Sequence, residues 1–209
     1  MDALLLLLLD SRSPAGAHSH SSGMEPAIVH GLVHDLVDVE QFCRTRLRTA
    51  GLVAADFAAN ACALGPHAPT SAWHALDAEF EARMPSEALR AASRQLGKGL
   101  RRLVCAMLPG CELPAVHHPL VLGAAVAAAG GTPDLAARAA ALGTITVPAS
   151  AAVRLLGLDP FAVQAMLARL ACEIAAIPLS GGELRADSAP ALDLLADLHH
   201  TAEVRLFAS

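Results

Sequence analysis

Two strong helix-forming residue types dominate this chain and restrict its fold class. The 209 residues include 46 alanines and 34 leucines, whereas aromatic residues make up only 3% and tyrosine is absent. Ala and Leu favour helices, while sheets depend on β-branched and aromatic residues. Only Thr144–Val147 is briefly strand-like. Because 54% of the residues are hydrophobic, a core can form, and we expect an all-α, single-domain helical bundle over residues 1–209.

Turn and cap signals divide the chain into roughly nine or ten helices. Asp38 with Gln41 forms a capping-box pattern that predicts a helix start. Pro148 predicts a break between two helices, because proline lacks a backbone N–H. The predicted helical ranges are approximately 22–36, 38–63, 71–84, 85–107, 119–129, 133–146, 148–157, 160–177 and 189–204.

Leu4–Leu9 is an uninterrupted run of six leucines. A membrane-spanning helix needs about 20 apolar residues, and a signal peptide needs a basic residue where this chain has Asp2. We interpret the run as a buried helical segment or one that docks on a partner, and we expect no other stretch to span a membrane.

The cysteines and the charge balance favour a cytoplasmic protein that does not bind nucleic acid. The five cysteines include no C-x-x-C pair, so we expect reduced, mostly buried thiols. There are 15 Lys and Arg residues against 20 Asp and Glu residues, a net charge of −5. Nucleic-acid binding generally needs a basic surface that releases counterions from phosphate.

No catalytic motif is recognisable, so we expect no enzyme activity and no cofactor. Gly97-Lys98-Gly99 lacks the opening glycine and the Ser/Thr of a phosphate-binding loop. Ser21 stands beside His20, but no nucleophile-elbow motif accompanies it. Neighbours in sequence rarely form a catalytic triad.

The ten histidines include one pair with chelating spacing. His30 and His34 are four residues apart, which would put them on one face of a helix where they could bind a metal. A solvated helix face is the simpler interpretation. His117-His118 and His199-His200 lie at predicted helix ends, where a helix C-terminus would favour a protonated imidazole in the second pair.

The segment between the leucine run and the next helix has the chemistry of an ordered polar connection. Pro14 and Gly16 set a turn, and His20 and Ser21 can satisfy backbone groups. Glu25 lies in the first turn of the following helix, where the helix dipole favours a carboxylate.

This segment resembles the N-terminus of the UreF family of urease accessory proteins. The matching residues are Asp10, Ser11, Pro14, Gly16, His20, Ser21, Gly23 and Glu25. Further resemblance lies in the helix motif Arg90–Gly97, in Ser150–Leu156 and in the terminal sequence Val204–Ser209. The resemblance therefore extends over nearly the whole chain.

The resemblance implies a non-enzymatic assembly factor. Members of the family dimerise and bind a UreD/UreH-type accessory protein, and the complex recruits a UreG-type GTPase to insert nickel into apo-urease. Carried onto this sequence, the interface candidates are Pro14, Gly16, His20, Ser21, Gly23, Glu25, Arg94, Arg154, Arg205, Leu206 and Phe207. The resemblance also implies that residues 1–22 and 204–209 are docking segments. The leucine run or the Leu206-Phe207 tail would serve as a hydrophobic anchor in the partner.

Two alternatives remain open at the level of sequence. The chain could bind nickel directly through His30 and His34. It could also act as a GTPase-activating protein that inserts Arg94 or Arg154 into the partner, by analogy with other GTPase regulators.

Overall fold

The computed structural model describes residues 2–10, 20–178, 184–200 and 206–207. Within these ranges the chain forms ten α-helices and no β-strand, which confirms the predicted all-α bundle. The helices are α1 (Asp2–Leu8), α2 (Met24–Val29), α3 (Leu36–Arg46), α4 (Leu52–Leu64), α5 (Thr70–Ala82), α6 (Glu87–Met107), α7 (His118–Ala128), α8 (Pro133–Leu156), α9 (Pro160–Ala175) and α10 (Pro190–His200). A π-helical segment, Leu47–Gly51, joins α3 to α4.

Helix α4 lies at the centre of the core because it is apolar on nearly all sides. Phe57 on α4 belongs to a hydrophobic cluster that also includes Trp73 of α5 and residues of α1, α6 and α7. Ala55, on the opposite side of α4, belongs to a second cluster with Ile145 of α8 and residues of α2, α3 and α9. The core is therefore divided into two halves that share α4.

The small residues of α4 and α7 let the two helices touch at the backbone. A Cβ atom on Gly123 of α7 would lie 2.2 Å from the carbonyl oxygen of Ala58 and 2.8 Å from the Cβ of Ala61. Both distances are too short for nonbonded atoms, so only glycine fits at this crossing.

Helix α8 runs unbroken through Pro148, so the predicted division at this proline is wrong. Thr144–Val147, the strand-like stretch, is also helical. Proline removes the N–H that would bond to the carbonyl four residues earlier. Here Arg46 replaces that donor, since its Nε donates to the oxygen of Thr144 at 3.3 Å. A residue far away in sequence thus compensates for the proline.

The leucine run forms most of α1 and divides into two faces. Leu5 and Leu8 are buried in the core, while Leu6 and Leu7 are 72% and 57% exposed. By length and composition, α8 is the one described helix apolar enough to cross a membrane, with a mean hydropathy of 1.5. The prediction that no other stretch qualifies missed α8 because it assumed a break at Pro148. A core helix passes the same test, and α8 packs against α4, α7 and α9.

The start of α3 also differs from the sequence prediction. Asp35, rather than Asp38, is the N-cap, and its Oδ1 accepts hydrogen bonds from the N–H groups of Val37 and Asp38. The carboxylate of Asp38 instead accepts the N–H of His34 at 2.9 Å. Helix α2 ends at Val29, where Gly31 has a φ angle of 67° and the N–H of Leu32 donates to the oxygen of Ala27 at 2.8 Å, so the predicted helix over 22–36 is too long.

The five cysteines are free thiols, as expected, but most of them are not buried. Cys43 and Cys62 lie in the core, Cys105 and Cys172 are exposed, and Cys111 is half-buried. The prediction of mostly buried thiols is wrong because it did not consider the polar faces of α6 and α9.

Candidate partner-docking site

A tight turn directs Glu25 into the interior. Ser22 and Gly23 both have positive φ angles, 51° and 85°, which glycine adopts at little cost and serine does not. The turn closes where the N–H of Met24 donates to the oxygen of Ser21 at 3.1 Å. Helix α2 begins immediately afterwards, and its first turn carries Glu25, which is only 5% exposed.

The Glu25 carboxylate binds the C-terminal end of the chain. The N–H of Leu206 donates to Oε1 at 2.8 Å, and the N–H of Phe207 donates to Oε2 at 2.9 Å. Hydrogen bonds to an ionised acceptor are about twice as strong as neutral ones. The N-terminal and C-terminal motifs, which the sequence analysis treated as separate interface candidates, are therefore in direct contact.

His199 of α10 completes this polar cluster. Its Nε2 lies 3.3 Å from the carbonyl oxygen of Phe207 and 3.5 Å from Oε2 of Glu25. Both neighbours are acceptors, so Nε2 carries the proton. The sequence analysis considered His199 only as a charge at a helix end. Its role depends on contacts with two other segments, for which local sequence carries no signal.

The Phe207 side chain is held by its own chain rather than presented to solvent. Its ring is 9% exposed, and the Arg154 guanidinium carbon lies 4.3 Å from the ring centroid. This is cation–π geometry. Leu206 is 76% exposed. We name Glu25, Arg154, His199, Leu206 and Phe207 the end junction; of the two apolar residues proposed as an anchor, only Leu206 faces solvent.

The other sequence candidates occupy varied positions. His20 and Ser21 are buried at the start of the same turn. Pro14, Gly16 and Arg205 lie outside the described residues.

The described contacts of Arg94 do not include a residue of the end junction. It lies on α6 and pairs with Glu81 of α5. Arg94 therefore belongs to the contact between α5 and α6, whereas Arg154 lies on α8.

His30 and His34 do not share a helix face, so that prediction is wrong. His30 is the C-cap of α2, and His34 precedes α3. The Nδ1 of His34 lies 3.3 Å from Asp38 Oδ2. Among the described residues, no group of three or more His, Cys, Asp or Glu side chains is arranged to hold a metal.

The Arg-Ser-Gly motif of α6 fixes the chain segment that leads into α7. A Cβ on Gly97 would lie 2.1 Å from the oxygen of Val116, so this segment touches the α6 backbone. Ser93 Oγ accepts the N–H of His118 at 3.2 Å and lies 3.2 Å from Nδ1 of His117. Burial lowers the pKa of His117. The packing of α6 against this segment therefore accounts for Ser93 and Gly97.

A cavity of about 910 Å³ extends between the helices beside the end junction. Most of its lining is apolar, and its polar lining includes His20, Arg46, His118, Arg154 and Asp193. Burial lowers the pKa of the Arg46 guanidinium, and burial together with the charge of Asp197 raises the pKa of Asp193. Arg154 belongs to both the cavity and the end junction.

His118 is the most perturbed histidine of the cavity. Burial, with a smaller contribution from His20, lowers its pKa to about 4. Its position in the first turn of α7 also disfavours a positive charge. The ring is therefore neutral at physiological pH. The sequence analysis named His118 only as a helix-end residue and did not predict the cavity.

These features define an all-helical protein in which the first turn of α2 holds residues 206–207 at a buried carboxylate. The sequence model of the UreF family matches residues 33–171. A Urease accessory protein UreF of Mycobacterium sp. (strain JLS) is 43% identical over 98% of this chain and 97% of its own length. That of Mycolicibacterium vanbaalenii is 44% identical over 99% and 98%, and that of Mycobacterium tuberculosis (strain ATCC 25177 / H37Ra) is 40% identical over 99% and 98%. The chain belongs to the UreF family of urease accessory proteins, which confirms the resemblance.

Proposed function

We propose that this protein is a non-catalytic, cytoplasmic scaffold of urease maturation. In this proposal it forms a homodimer, binds a UreD/UreH-type accessory protein and a UreG-type GTPase, and assists nickel insertion into apo-urease. Its relatives are named urease accessory proteins, which supports the process but leaves the partners to be tested. A scaffold of this kind acts by differential affinity for the states of its partners.

The end junction is the observation that carries the proposal. Glu25 holds the backbone of residues 206–207 by two hydrogen bonds, and this fixes the position of Leu206 at the surface. An exposed leucine whose backbone is already held by hydrogen bonds is a suitable contact for a partner, because little conformational entropy is lost on binding. We therefore assign the partner contact to Leu206 and the neighbouring surface.

The test is co-purification of the UreD/UreH-type protein with tagged full-length chain. Deletion of residues 204–209 is expected to abolish co-purification while the helical circular dichroism is unchanged. Leu206→Ala is expected to weaken co-purification while both hydrogen bonds to Glu25 remain, because they use backbone N–H groups. Val37→Ala is the matched control, since Val37 of α3 is 75% exposed and thus as open to solvent as Leu206. Unchanged co-purification after the deletion would refute the assignment, and no co-purification of the intact chain would refute the proposed function.

A further inference from the structure

The C-terminal end of α6 carries two cysteines that the proposed function does not use. Cys105 lies in the last turns of α6 and is exposed, and Cys111 follows the helix and is half-buried. The chain reverses between them at Pro109-Gly110. The N–H of Cys111 donates to the oxygen of Leu108 at 3.0 Å, and Gly110 has a φ angle of 85°. Proline followed by a glycine with positive φ is the signature of a type II turn.

This turn folds Cys111 back onto the last turn of α6. The Cys105 Sγ lies 3.3 Å from the carbonyl oxygen of Cys111. By covalent geometry, the sulfur of a cysteine lies within about 5 Å of its own carbonyl oxygen. The two sulfurs are therefore at most about 8 Å apart, and rotation of both side chains with a small adjustment of the turn that carries Cys111 would bring them to bonding distance.

Exposure distinguishes Cys105 as the thiol that an oxidant reaches first. Cys105 is exposed on α6, whereas Cys111 is half-buried, and the susceptibility of a cysteine to oxidation increases with its exposure. Burial, and the negative charge of Cys105, raise the pKa of Cys111, which fits a second thiol that reacts after the first.

We propose that Cys105 and Cys111 form a peroxide-sensitive thiol pair that closes to an intramolecular disulfide. The Cys105 thiolate attacks hydrogen peroxide, the O–O bond breaks, and Cys105 sulfenic acid and hydroxide form. The Cys111 thiolate then attacks the Cys105 sulfur, a S–S bond forms, and hydroxide leaves. Two electrons pass from the two thiols to one peroxide, which is reduced to two waters after protonation.

The disulfide would link α6 covalently to the segment that precedes α7. That segment continues to Val116 and His117, which pack against Gly97 and Ser93. Oxidation therefore adds a covalent link next to an existing contact. The predicted result is slower amide hydrogen exchange of residues 108–117 in the oxidised protein.

The experiment is treatment of the native full-length chain with hydrogen peroxide, followed by intact-mass and peptide analysis. The expected product has lost two hydrogen atoms, with Cys105 linked to Cys111. Closure is expected to be at least about tenfold faster in the native chain than in urea, because the fold holds the thiols together. In Cys111→Ser, Cys105 is expected to remain a sulfenic acid that a dimedone probe traps.

Cys172 is the matched internal control. It is exposed on α9, and its thiol donates a hydrogen bond to the carbonyl oxygen of Ala168 in the same helix. With oxidised glutathione, Cys172 is expected to retain one glutathione, while Cys105 releases it as the disulfide closes. Equal glutathione retention at Cys105 in the native chain and in Cys111→Ser would overturn the proposal, as would equal closure rates in the native chain and in urea.

Discussion

Replacement of Glu25 by glutamine tests whether one carboxylate holds the C-terminal end of the chain. Glu25 is 5% exposed and accepts the N–H groups of Leu206 and Phe207 at 2.8 and 2.9 Å. A glutamine amide has the same shape but only one oxygen, so its NH2 group would face a backbone N–H donor. We expect one charge-assisted hydrogen bond to be lost and the other to weaken.

The expected loss of docking free energy follows from the two hydrogen bonds that Glu25 accepts. A hydrogen bond to a charged group contributes about 1.5–3 kcal/mol, and a buried donor without an acceptor costs about 1–3 kcal/mol. We therefore expect Glu25→Gln to weaken docking of residues 206–207 by about 2–4 kcal/mol. The loss in the free energy of global unfolding cannot exceed the docking energy, because the segment can detach while the helices remain folded.

Amide hydrogen exchange at residues 206–207 measures this docking directly. A loss of about 2–4 kcal/mol corresponds to a loss of protection of about 30- to 900-fold, limited by complete undocking. Glu79→Gln is the control, because Glu79 is 57% exposed in its ion pair with Arg83, and such pairs contribute at most about 1 kcal/mol. In the chain without residues 204–209, Glu25→Gln should no longer lower the free energy of unfolding by urea, because the segment that Glu25 holds is gone. Unchanged exchange in the full-length variant would refute the reasoning.

Three further predictions concern the core, each measured by urea unfolding. The pKa of His118 is about 4, against 6.5 in the unfolded chain. The free energy of unfolding should therefore fall as the pH decreases from about 6.5 to 4, and His118→Gln should flatten this dependence. An equally steep pH profile in the variant would contradict the prediction. Gly123→Ala should destabilise by about 1–3 kcal/mol through overlap with α4, whereas Gly143→Ala on α8, which meets open space, should stabilise by about 0.5–1 kcal/mol. Asp56→Ala should cost about 3–5 kcal/mol, because the buried Asp56 carboxylate accepts the backbone N–H of Arg185 at 3.1 Å and forms an ion pair with the Arg185 guanidinium at 3.5 Å.

Local signals predicted those parts of the fold that depend on local contacts. The predicted helix starts at residues 133 and 160 are confirmed. Thr132 and Asp159 are the N-caps there, and each needs only the backbone N–H groups of the next residues. Pro148 misled the prediction because helix continuity there depends on Arg46, which lies about 100 positions away in the chain. Asp35 and Asp38 compete for one cap, and the sequence pattern alone favoured the wrong carboxylate.

The candidate site was predictable in its parts but not in its assembly. Glu25 and Phe207 were identified through resemblance, yet their contact joins residues 182 positions apart. Nothing in either local segment indicates that one carboxylate accepts the other segment's N–H groups. His199 and Arg154 complete the junction from α10 and α8, so their roles depend on how four separate segments pack. Only tertiary packing brings these groups together.

The end junction also determines how a partner can use the C-terminal segment. A partner that binds only Leu206 needs the docked state, so Glu25→Gln should lower its affinity. A partner that takes Phe207 must first break two hydrogen bonds to Glu25 and the contact with Arg154, and this cost reduces its apparent affinity. In that case Glu25→Gln should raise the affinity, because the cost is already removed. Titration of the UreD/UreH-type protein against both chains distinguishes the two modes, and equal affinities would show that neither mode depends on the junction.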